Sequence, residues 1–242
     1  MGISSVLSQT VTSADVGREK YKYETHMHTS EVSACASATA VEQVREYKRR
    51  GYAGIIITNH FINSYVTHAK DLPWAKLIEL NSIGYHEAKK EGDKCGLDVF
   101  FGFEYSIDGL DFLTYGVSID CLLANPGIDK LDVAQYSQFV RDNGGYLAQA
   151  HPYREAYYIP EPYPVMPQWV DGIEVYNVSM PDTVNEKAFI FAEQNNLGMI
   201  AGSDSHHLGM KFLSGITLNK RAENISDIID ALKTREIGLI LP

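Results

Sequence analysis

Short apolar runs typical of β-strands alternate with helical stretches along the chain from residue 21 to the end. Segment 53–58 is apolar on both faces, which is typical of a parallel strand that is covered by helices on each side. The preceding segment, 39–50, places Val41, Val44 and Tyr47 on one stripe and ends before Gly51, which predicts a helix. This alternation favours a parallel sheet with helices packed outside it.

The same pattern extends over the rest of the chain. Further strands are predicted at 21–28, 99–104, 112–117, 146–150, 172–176, 199–202, 213–218 and 237–241, and further helices at 73–91, 133–143, 184–196 and 225–234. Periodicity does not decide between a barrel and an open sheet. However, His, Asp and Glu gather just after the strands, where (β/α) barrels carry their active sites. The 242 residues show no composition break, so we expect one domain over 20–242 after a Ser/Thr/Gly-rich tail at 1–19.

Bulk properties narrow the class of protein. No segment has the roughly 20 consecutive apolar residues that a membrane helix needs, and the N-terminus lacks the apolar core of a secretory signal. The three cysteines are widely spaced, which indicates reduced thiols. Together, these features predict a cytoplasmic protein without a membrane partner. A formal net charge of -10 argues against a nucleic-acid partner, because such binding rests on basic surfaces that neutralise phosphates. A small phosphorylated substrate stays compatible with this charge.

Two pairs of metal-binding residue types occur with a spacing of two. His26 and His28 end the first predicted strand, and Asp204 and His206 follow the apolar run at 199–202. Residues two apart on a strand point to the same side, so each pair can reach one ion. A single pair is more often a pair of surface residues, but two pairs at two strand ends favour a metal site.

Three further strand ends carry one candidate ligand each, namely His60, Glu104 and His151. Glu104 ends an apolar strand, where a carboxylate without a partner is costly. Each of these residues alone could be a hydrogen-bonded polar residue at the rim of the sheet. Together, five strand ends that offer imidazole and carboxylate groups predict a cluster of more than one divalent ion.

These residues resemble the motifs of the PHP (polymerase and histidinol phosphatase) family. The HxH, (T/S)(D/N)H, AHP-type and GSDxH motifs are matched in order by His26-Met27-His28, Thr58-Asn59-His60, Ala150-His151-Pro152 and Gly202-Ser203-Asp204-Ser205-His206. Gly102-Phe103-Glu104 stands at the position of the family's bridging glutamate. The resemblance runs from about Lys20 to Pro242. It implies an α/β fold that forms a distorted (β/α)7 TIM-like barrel. It also implies two or three bound divalent ions.

The resemblance also implies how the ligands are shared among the ions. His26, His28, Glu104 and Asp204 are expected around one ion, His60, His206 and Glu31 around a second, and Glu104, Asp111 and His151 around a third. Glu31 substitutes for an Asp or His of the family, and its alternative is a solvated loop residue. Asp111 stands where the family usually has a histidine. Asn59 replaces the usual Asp of its motif, which leaves its supporting role open.

Other residues are candidates for binding the substrate or for protonating its leaving group. Arg154, three residues after His151, is expected to bind a phosphate oxygen bidentately, with a surface arginine as the alternative. His207 could protonate a leaving group or make a structural hydrogen bond. The loop at 152–167 is predicted to form an aromatic wall from Tyr153, Tyr157, Tyr158 and Tyr163. Cys35 lies near the first motif but is not expected to bind metal, so the ligands would be nitrogen and oxygen only. That mix suits Zn, Mn or Fe.

Clustered divalent ions lower the pKa of a bridging water and clamp phosphoryl oxygens. The predicted function is therefore hydrolysis of a small phosphate monoester by a metal-bridging hydroxide. One alternative is a phosphodiesterase or exonuclease that acts on nucleotides or nucleic-acid ends. Another is a metal-binding domain without turnover, which the intact ligand set opposes. Neither the ester, the metal nor the oligomeric state follows from the sequence.

Overall fold

The computed structural model describes residues 20–157, 159 and 163–242. The predicted tail at 1–19 and Tyr158 of the predicted aromatic wall lie outside the described residues. Within the described ranges, none of the helices combines the length and the apolar character that spanning a bilayer requires.

The regular elements follow the predicted alternation. The strands are β1 Tyr21–Glu24, β2 Gly54–Ile57, β3 Asp98–Ile107, β4 Leu110–Tyr115, β5 Tyr146–Gln149, β6 Gly172–Asn177, β7 Gly198–Gly202, β8 Gly215–Leu218 and β9 Gly238–Ile240. The α-helices are α1 Ala40–Arg49, α2 Trp74–Asn81, α3 Ile83–Cys95, α4 Ile119–Ala124, α5 Val133–Asp142, α6 Asp182–Gln194 and α7 Ile225–Thr234. Among the residues that the structure describes, two 3₁₀ turns, Ile128–Lys130 and Pro167–Trp169, lie in the connections.

The strands form one sheet in the order β7-β6-β5-β4-β3-β2-β1-β8-β9, which curls into a nearly closed barrel. Closure takes place just beyond the ends of β1 and β7, where Met27 forms a parallel bridge with Ser205. Nearby, Thr25 Oγ1 donates a hydrogen bond to the carbonyl of Ala201 at 2.7 Å. The predicted α/β class and the distorted TIM-like barrel are confirmed. Closure also brings the HxH and GSDxH segments side by side.

The sheet is mixed, so the expectation of a parallel sheet was wrong at β4, β8 and β9. Strand β4 runs antiparallel between β3 and β5, and β8 is antiparallel to both β1 and β9. Asp108 and Gly109 join β3 to β4 with φ of 51° and 83°. Asp-Gly is the preferred pair for a two-residue type I′ hairpin turn, a signal that the sequence carried. Because β4 runs backwards, its first residues lie at the rim where the parallel strands end.

Helix α1 begins where its capping residues predict. The Thr39 side chain accepts from the Glu42 amide while the Glu42 side chain accepts from the Thr39 amide, which forms a capping box. Its buried face, which includes Val44 and Tyr47, packs in one core cluster with residues of β2 and α3.

Two helical predictions differ from the structure. The helix predicted at 73–91 is two helices that meet at Ser82, whose hydroxyl donates to the Glu79 carbonyl at 2.9 Å and competes with helical bonding. Helix α4 was not predicted, because six residues are too few to show a helical period.

The barrel interior is filled by large side chains from several strands. Tyr23, Tyr115, Tyr146, Ile200 and Ile216 come from five different strands and belong to one buried cluster. The Tyr115 hydroxyl donates to the Thr25 carbonyl at 2.9 Å, directly before the HxH motif. This packed interior supports the motif residues at the rim of the barrel.

Candidate metal centre

The residues of the predicted cluster meet at the rim of the barrel where the parallel strands end. Their nitrogen and carboxylate atoms form three overlapping groups that could each hold an ion. The groups are His26, His28 and Asp204; His26, Glu104 and His151; and His28, His60 and His206. These groups unite all five predicted strand ends.

The first group joins the two chelating pairs across the barrel closure. His26 Nε2 lies 3.2 Å from His28 Nε2. Asp204 Oδ1 lies 3.3 Å from the first of these nitrogens and 3.4 Å from the second. Ligand atoms about 2.0–2.2 Å from one ion in a tetrahedral arrangement lie about 3.3–3.6 Å apart. The spacing of this group therefore suits a shared ion.

Glu104 connects the other two groups. Its Oε1 lies 3.3 Å from His26 Nε2 and 3.2 Å from His151 Nε2. Its Oε2 lies 2.7 Å from His60 Nδ1 and 3.5 Å from His28 Nε2. The carboxylate thus faces one group with each oxygen.

The contact between Glu104 and His60 tests whether a metal fits. Glu104 Oε2 and His60 Nδ1 are only 2.7 Å apart, yet both atoms are buried and neither is aligned for a hydrogen bond. An orphaned polar atom costs free energy when it is buried, so such pairs are rare. A shared cation would satisfy both atoms, and it would hold them about 3.3–3.6 Å apart instead of 2.7 Å. The residues present therefore fit divalent ions.

The carboxylates of the cluster stay ionised. Burial raises the pKa of Glu104, but His60 and His26 outweigh it and hold that pKa well below its usual value. Burial acts in the same way on Asp204, and His26 again outweighs it. The ionised carboxylates are buried, where they attract cations more strongly than at the surface.

The imidazoles respond in opposite ways. Burial lowers the pKa of His26, but Asp204, Glu174 and Glu104 hold it well above its usual value. Burial likewise opposes protonation of His60, and Glu104 raises its pKa to about 10. For His28, burial and the neighbouring His60 lower the pKa to about 3. His28 is thus kept neutral, the form in which an imidazole binds metal, whereas His26 and His60 would have to release a proton on metal binding.

Buried residues that were not predicted hold the ligands in place. Glu174 Oε1 lies 2.9 Å from His26 Nδ1, and its Oε2 accepts from the His151 amide at 2.9 Å. A carboxylate on the far nitrogen of a ligand histidine orients the ring and leaves Nε2 for the metal. Ser33 Oγ does the same for His28, at 3.0 Å from Nδ1. Glu174 lies within the buried strand β6, and a carboxylate there was a signal of the same kind as Glu104.

Glu24 ties the two chelating segments together. Its Oε1 accepts from the amides of His26 and Ser203, both at 2.9 Å, and its Oε2 accepts from the Tyr47 hydroxyl at 2.6 Å. Burial raises the pKa of Glu24 to about 7, although these hydrogen bonds oppose the shift. The carboxylate therefore fixes the backbone on both sides of the barrel closure.

The backbone is strained at two candidate ligands that closely follow strands. Asp204 has a φ of 51° and His151 a φ of 27°, in a region that residues with a side chain seldom adopt. Gly202 is required before Asp204, because a Cβ there would lie 2.6 Å from both Glu174 Oε1 and His26 Cβ. Strain of this kind is common at functional sites.

A cavity of about 530 Å³ opens above the cluster. Besides the proposed ligands, its lining includes Cys35, Tyr65, Asp111, Arg154 and Tyr157. Arg154 Nη2 donates to Asp111 Oδ2 at 2.7 Å, and Asp111 Oδ1 accepts from Ser106 Oγ at 2.5 Å. Arg154 Nη1 lies 3.5 Å from His151 Nε2. The structure thus brings the predicted arginine to the cluster, with Asp111 as its partner.

Cys35 shares this cavity with two proposed ligands. Its Sγ lies 3.1 Å from His206 Nε2. Burial raises the pKa of Cys35, but hydrogen bonds with His206 and His60 outweigh it and bring the pKa to about 6.

Three predicted positions differ from expectation. Both Glu31 oxygens accept from the Ala40 amide, at 3.0 and 3.1 Å, so Glu31 faces the start of α1 and not the cluster. His207 is exposed and is absent from the described residues that line the cavity. Tyr153 packs edge-on against Phe191 in the core, so among the described tyrosines of its loop only Tyr157 lines the cavity.

Comparison with known proteins agrees with the motifs. Residues 182–237 match the PHP-associated family model. No curated protein is significantly similar to this chain in sequence. A two-domain protein of Bacteroides vulgatus that contains a PHP-like metal-dependent phosphoesterase is 18% identical with a TM-score of 0.69. That match covers 93% of this chain and 66% of the other, so this chain spans slightly less than two thirds of that relative.

Two further solved structures share the fold. A protein of Bifidobacterium adolescentis that is predicted to be a metal-dependent phosphoesterase is 16% identical with a TM-score of 0.56, over 91% of this chain and 98% of its own. Endonuclease Q in complex with a 27-mer duplex is 11% identical with a TM-score of 0.57, over 89% of this chain and 57% of its own. At these identities the likeness establishes the fold. Together with the family model, it confirms the resemblance to the PHP family.

The comparisons also correct one prediction. Net acidity was taken to argue against a nucleic-acid partner, but endonuclease Q has the same fold and holds a duplex with an abasic lesion at its active site. The argument from net charge was wrong, because total charge averages over the whole surface and does not describe the potential at one cavity.

Proposed function

We propose that residues 20–242 form a metal-dependent phosphoesterase that hydrolyses a small phosphate monoester in the cytoplasm. The observation that carries this proposal is the overlap of the three donor groups beneath one cavity. His26 and His28 each belong to two groups, so ions held there would share ligands. Closely spaced divalent ions are typical of phosphoryl transfer. The free cysteines support the location.

Two or three ions are proposed, held by His26, His28, His60, Glu104, His151, Asp204 and His206. Imidazole and carboxylate donors suit Zn, Mn or Fe. Bound ions would supply an activated water near neutral pH and would neutralise charge on the phosphoryl group. Glu31 stays a predicted ligand that the observed hydrogen bonds to Ala40 do not support.

The chain's own residues would place the phosphate. Arg154 binds a non-bridging phosphoryl oxygen in this proposal, since its guanidinium lies beside His151 at the cavity wall. Asp111 holds that guanidinium in place at 2.7 Å, which gives Asp111 a positioning role besides the predicted role as a ligand. Exposed Tyr65 and Tyr157 would contact the organic part of the substrate. The predicted role of His207 as the proton donor is not supported, because His207 is exposed and does not line the cavity.

A phosphodiester substrate is the second candidate. It is favoured by the shared fold with endonuclease Q, whose active site holds DNA, and by a cavity with exposed aromatic residues at its mouth. Bases stack on such side chains in many proteins that bind single strands. In this case the same residues would bind the ions and the phosphate.

One experiment compares the two candidates. The purified protein is loaded separately with Zn, Mn and Fe(II), its metal content is measured, and turnover is followed with p-nitrophenyl phosphate, bis(p-nitrophenyl) phosphate and an abasic DNA duplex. A kcat/KM highest for the monoester supports the proposal. A higher value for either diester supports the second candidate. Stoichiometric metal without turnover of any phosphate ester contradicts both.

A further inference from the structure

The loop between His28 and α1 brings a thiol to the place where a carboxylate was expected. Glu31 faces Ala40, whereas Cys35 in the same loop lines the cavity. The Cys35 Sγ lies 3.1 Å from His206 Nε2. A thiol therefore occupies the position next to the group of His28, His60 and His206.

The hydrogen bonds of His206 show which nitrogen faces the thiol. His206 Nδ1 lies 2.9 Å from the carbonyl oxygen of Asp204. A carbonyl only accepts hydrogen bonds, so Nδ1 carries the proton in this contact and Nε2 presents its lone pair. The Cys35 thiol can donate a hydrogen bond to that lone pair, and once the thiol has lost its proton both atoms are available to one ion.

The backbone holds Cys35 in this position from both sides. The amides of Ser37 and Ala38 donate to the His206 carbonyl at 2.8 and 3.2 Å. The Ala34 amide donates to the Tyr65 carbonyl at 3.1 Å. The loop is therefore fastened to the same residue whose imidazole faces the thiol. Backbone hydrogen bonds therefore hold Cys35 and His206 next to each other.

A separate observation points to a cation at this group. The Glu104 side chain is 1% exposed, and its Oε2 has no hydrogen-bond partner although it faces His60 and His28. An ionised, buried oxygen without a partner is costly unless a cation or a proton compensates it. His60 also contributes the buried, unaligned Nδ1 described above. The contacts of Glu104 Oε2 are separate from the contact between Cys35 and His206, and they involve His28 and His60 of the same group.

We propose that Cys35 is a thiolate ligand of the ion held by His60 and His206, an inference that rests on the proposed metal centre. On binding, the S–H bond breaks, the proton passes to solvent, and the sulfur electron pair forms the bond to the ion without any change in oxidation state. The ligand set then contains sulfur, in contrast to the nitrogen and oxygen ligands that the sequence predicted. Thiolate is a soft ligand, so this ion is Zn or Fe(II) in preference to Mn or Mg.

Cobalt(II) reports thiolate ligation directly, without any measurement of activity. The metal-depleted full chain is titrated with cobalt(II) in three forms, which are wild type, Cys35→Ser and Cys121→Ser. The control, Cys121, lies on α4 and its Sγ lies 3.2 Å from Asn143 Oδ1, outside the cavity lining. Wild type and Cys121→Ser should develop a near-ultraviolet sulfur-to-cobalt charge-transfer band that Cys35→Ser lacks.

The visible ligand-field bands of cobalt separate the two ways in which this test can fail. Ligand-field bands without a charge-transfer band in the wild type would show that the metal centre exists and that Cys35 is not a ligand. The lack of any cobalt binding would overturn the metal centre itself and the Cys35 assignment with it.

Zinc affinity and thiol protection give a second readout. Zinc should slow alkylation of Cys35 by iodoacetamide at least tenfold while leaving labelling of Cys121 unchanged, as measured by peptide mass spectrometry. Because Cys35 is exposed, Cys35→Ser should fold normally. The zinc site at His60 and His206 should lose roughly tenfold or more in affinity, since even loss of a residue that only orients a ligand costs about 10–100-fold. Equal zinc affinity in Cys35→Ser and wild type would refute the assignment.

Discussion

Arg154 offers the sharpest test of how the site binds phosphate. Its side chain is 22% exposed, donates to Asp111 at 2.7 Å and lies beside His151 at the cavity wall. Arg154→Ala should leave metal content unchanged and should weaken substrate use. Arg154→Lys should recover only part of the loss, because an ammonium cannot reproduce the planar guanidinium fork.

The expected magnitude follows from one lost charge-assisted contact. A hydrogen bond to a charged group is worth roughly 1.5–3 kcal/mol, and each 1.4 kcal/mol is about tenfold. The kcat/KM of Arg154→Ala should therefore fall about ten- to a hundredfold. A second effect has to be separated from this loss. Burial and Glu104 raise the pKa of Asp111, while Arg154 opposes the shift, so removing the guanidinium leaves a buried carboxylate without this partner.

A double-mutant cycle separates the two effects. If Arg154 binds phosphate, Arg154→Ala should still lower kcat/KM in a background of Asp111→Asn, although by a smaller factor than in the wild type, where Asp111 positions the guanidinium. If Arg154 only compensates Asp111, the double variant Asp111→Asn/Arg154→Ala should recover the kcat/KM of Asp111→Asn alone. Arg141→Ala is the matched control, because Arg141 pairs with Asp171 at 3.2 Å outside the cavity lining.

The assay is kcat/KM with p-nitrophenyl phosphate, together with metal content and the thermal unfolding midpoint of each variant. Arg154→Ala within twofold of wild type would refute the phosphate role. Loss of metal from Arg154→Ala would show that the residue supports the metal centre. Loss of metal from Asp111→Asn would support the predicted role of Asp111 as a ligand.

Three further predictions concern the ligands and their protons. Asp204→Asn should lose much of the metal and most of the activity, because Asp204 faces both His26 and His28, and near-normal turnover would show that it is not a ligand. Glu174→Gln should stay folded, as measured by circular dichroism. It should bind zinc roughly 10–100-fold more weakly in competition with a chelator, because Glu174 orients the His26 ring. Unchanged zinc affinity would contradict that role. Burial lowers the pKa of His60 but Glu104 raises it to about 10, so metal binding at pH 7 must displace a proton. Zinc affinity should therefore rise from pH 7 toward 10, and calorimetry in buffers of different ionisation heat should detect proton release. For the metal-free protein, the stabilisation from protonated His60 should be fully present below about pH 6.5 and should disappear as the pH rises through about 10.

Local signals in the sequence were sufficient for most strands and helices and for most of the candidate ligands, whereas the barrel was implied by the resemblance of the ordered motifs to a family. Strands and helices follow from apolar periods and capping residues, as in α1, and Asp108-Gly109 signals the hairpin that turns β4 backwards. The strand ends His60, Glu104 and His151 could be recognised because the carboxyl ends of parallel strands meet at one rim. These features depend on neighbours within a few residues.

The tertiary structure decided what depends on distant contacts. Glu174 is 148 positions along the chain from His26, whose ring it orients. The two residues meet because the barrel closes between Met27 and Ser205. Side-chain direction in the loop after His28 also had no period to follow. There, the backbone bonds to His206 turn Cys35 toward the cavity, and the start of α1 draws Glu31 away from it. A loop has neither the alternation of a strand nor the turn of a helix, so the sequence did not show which of its side chains faces the cavity.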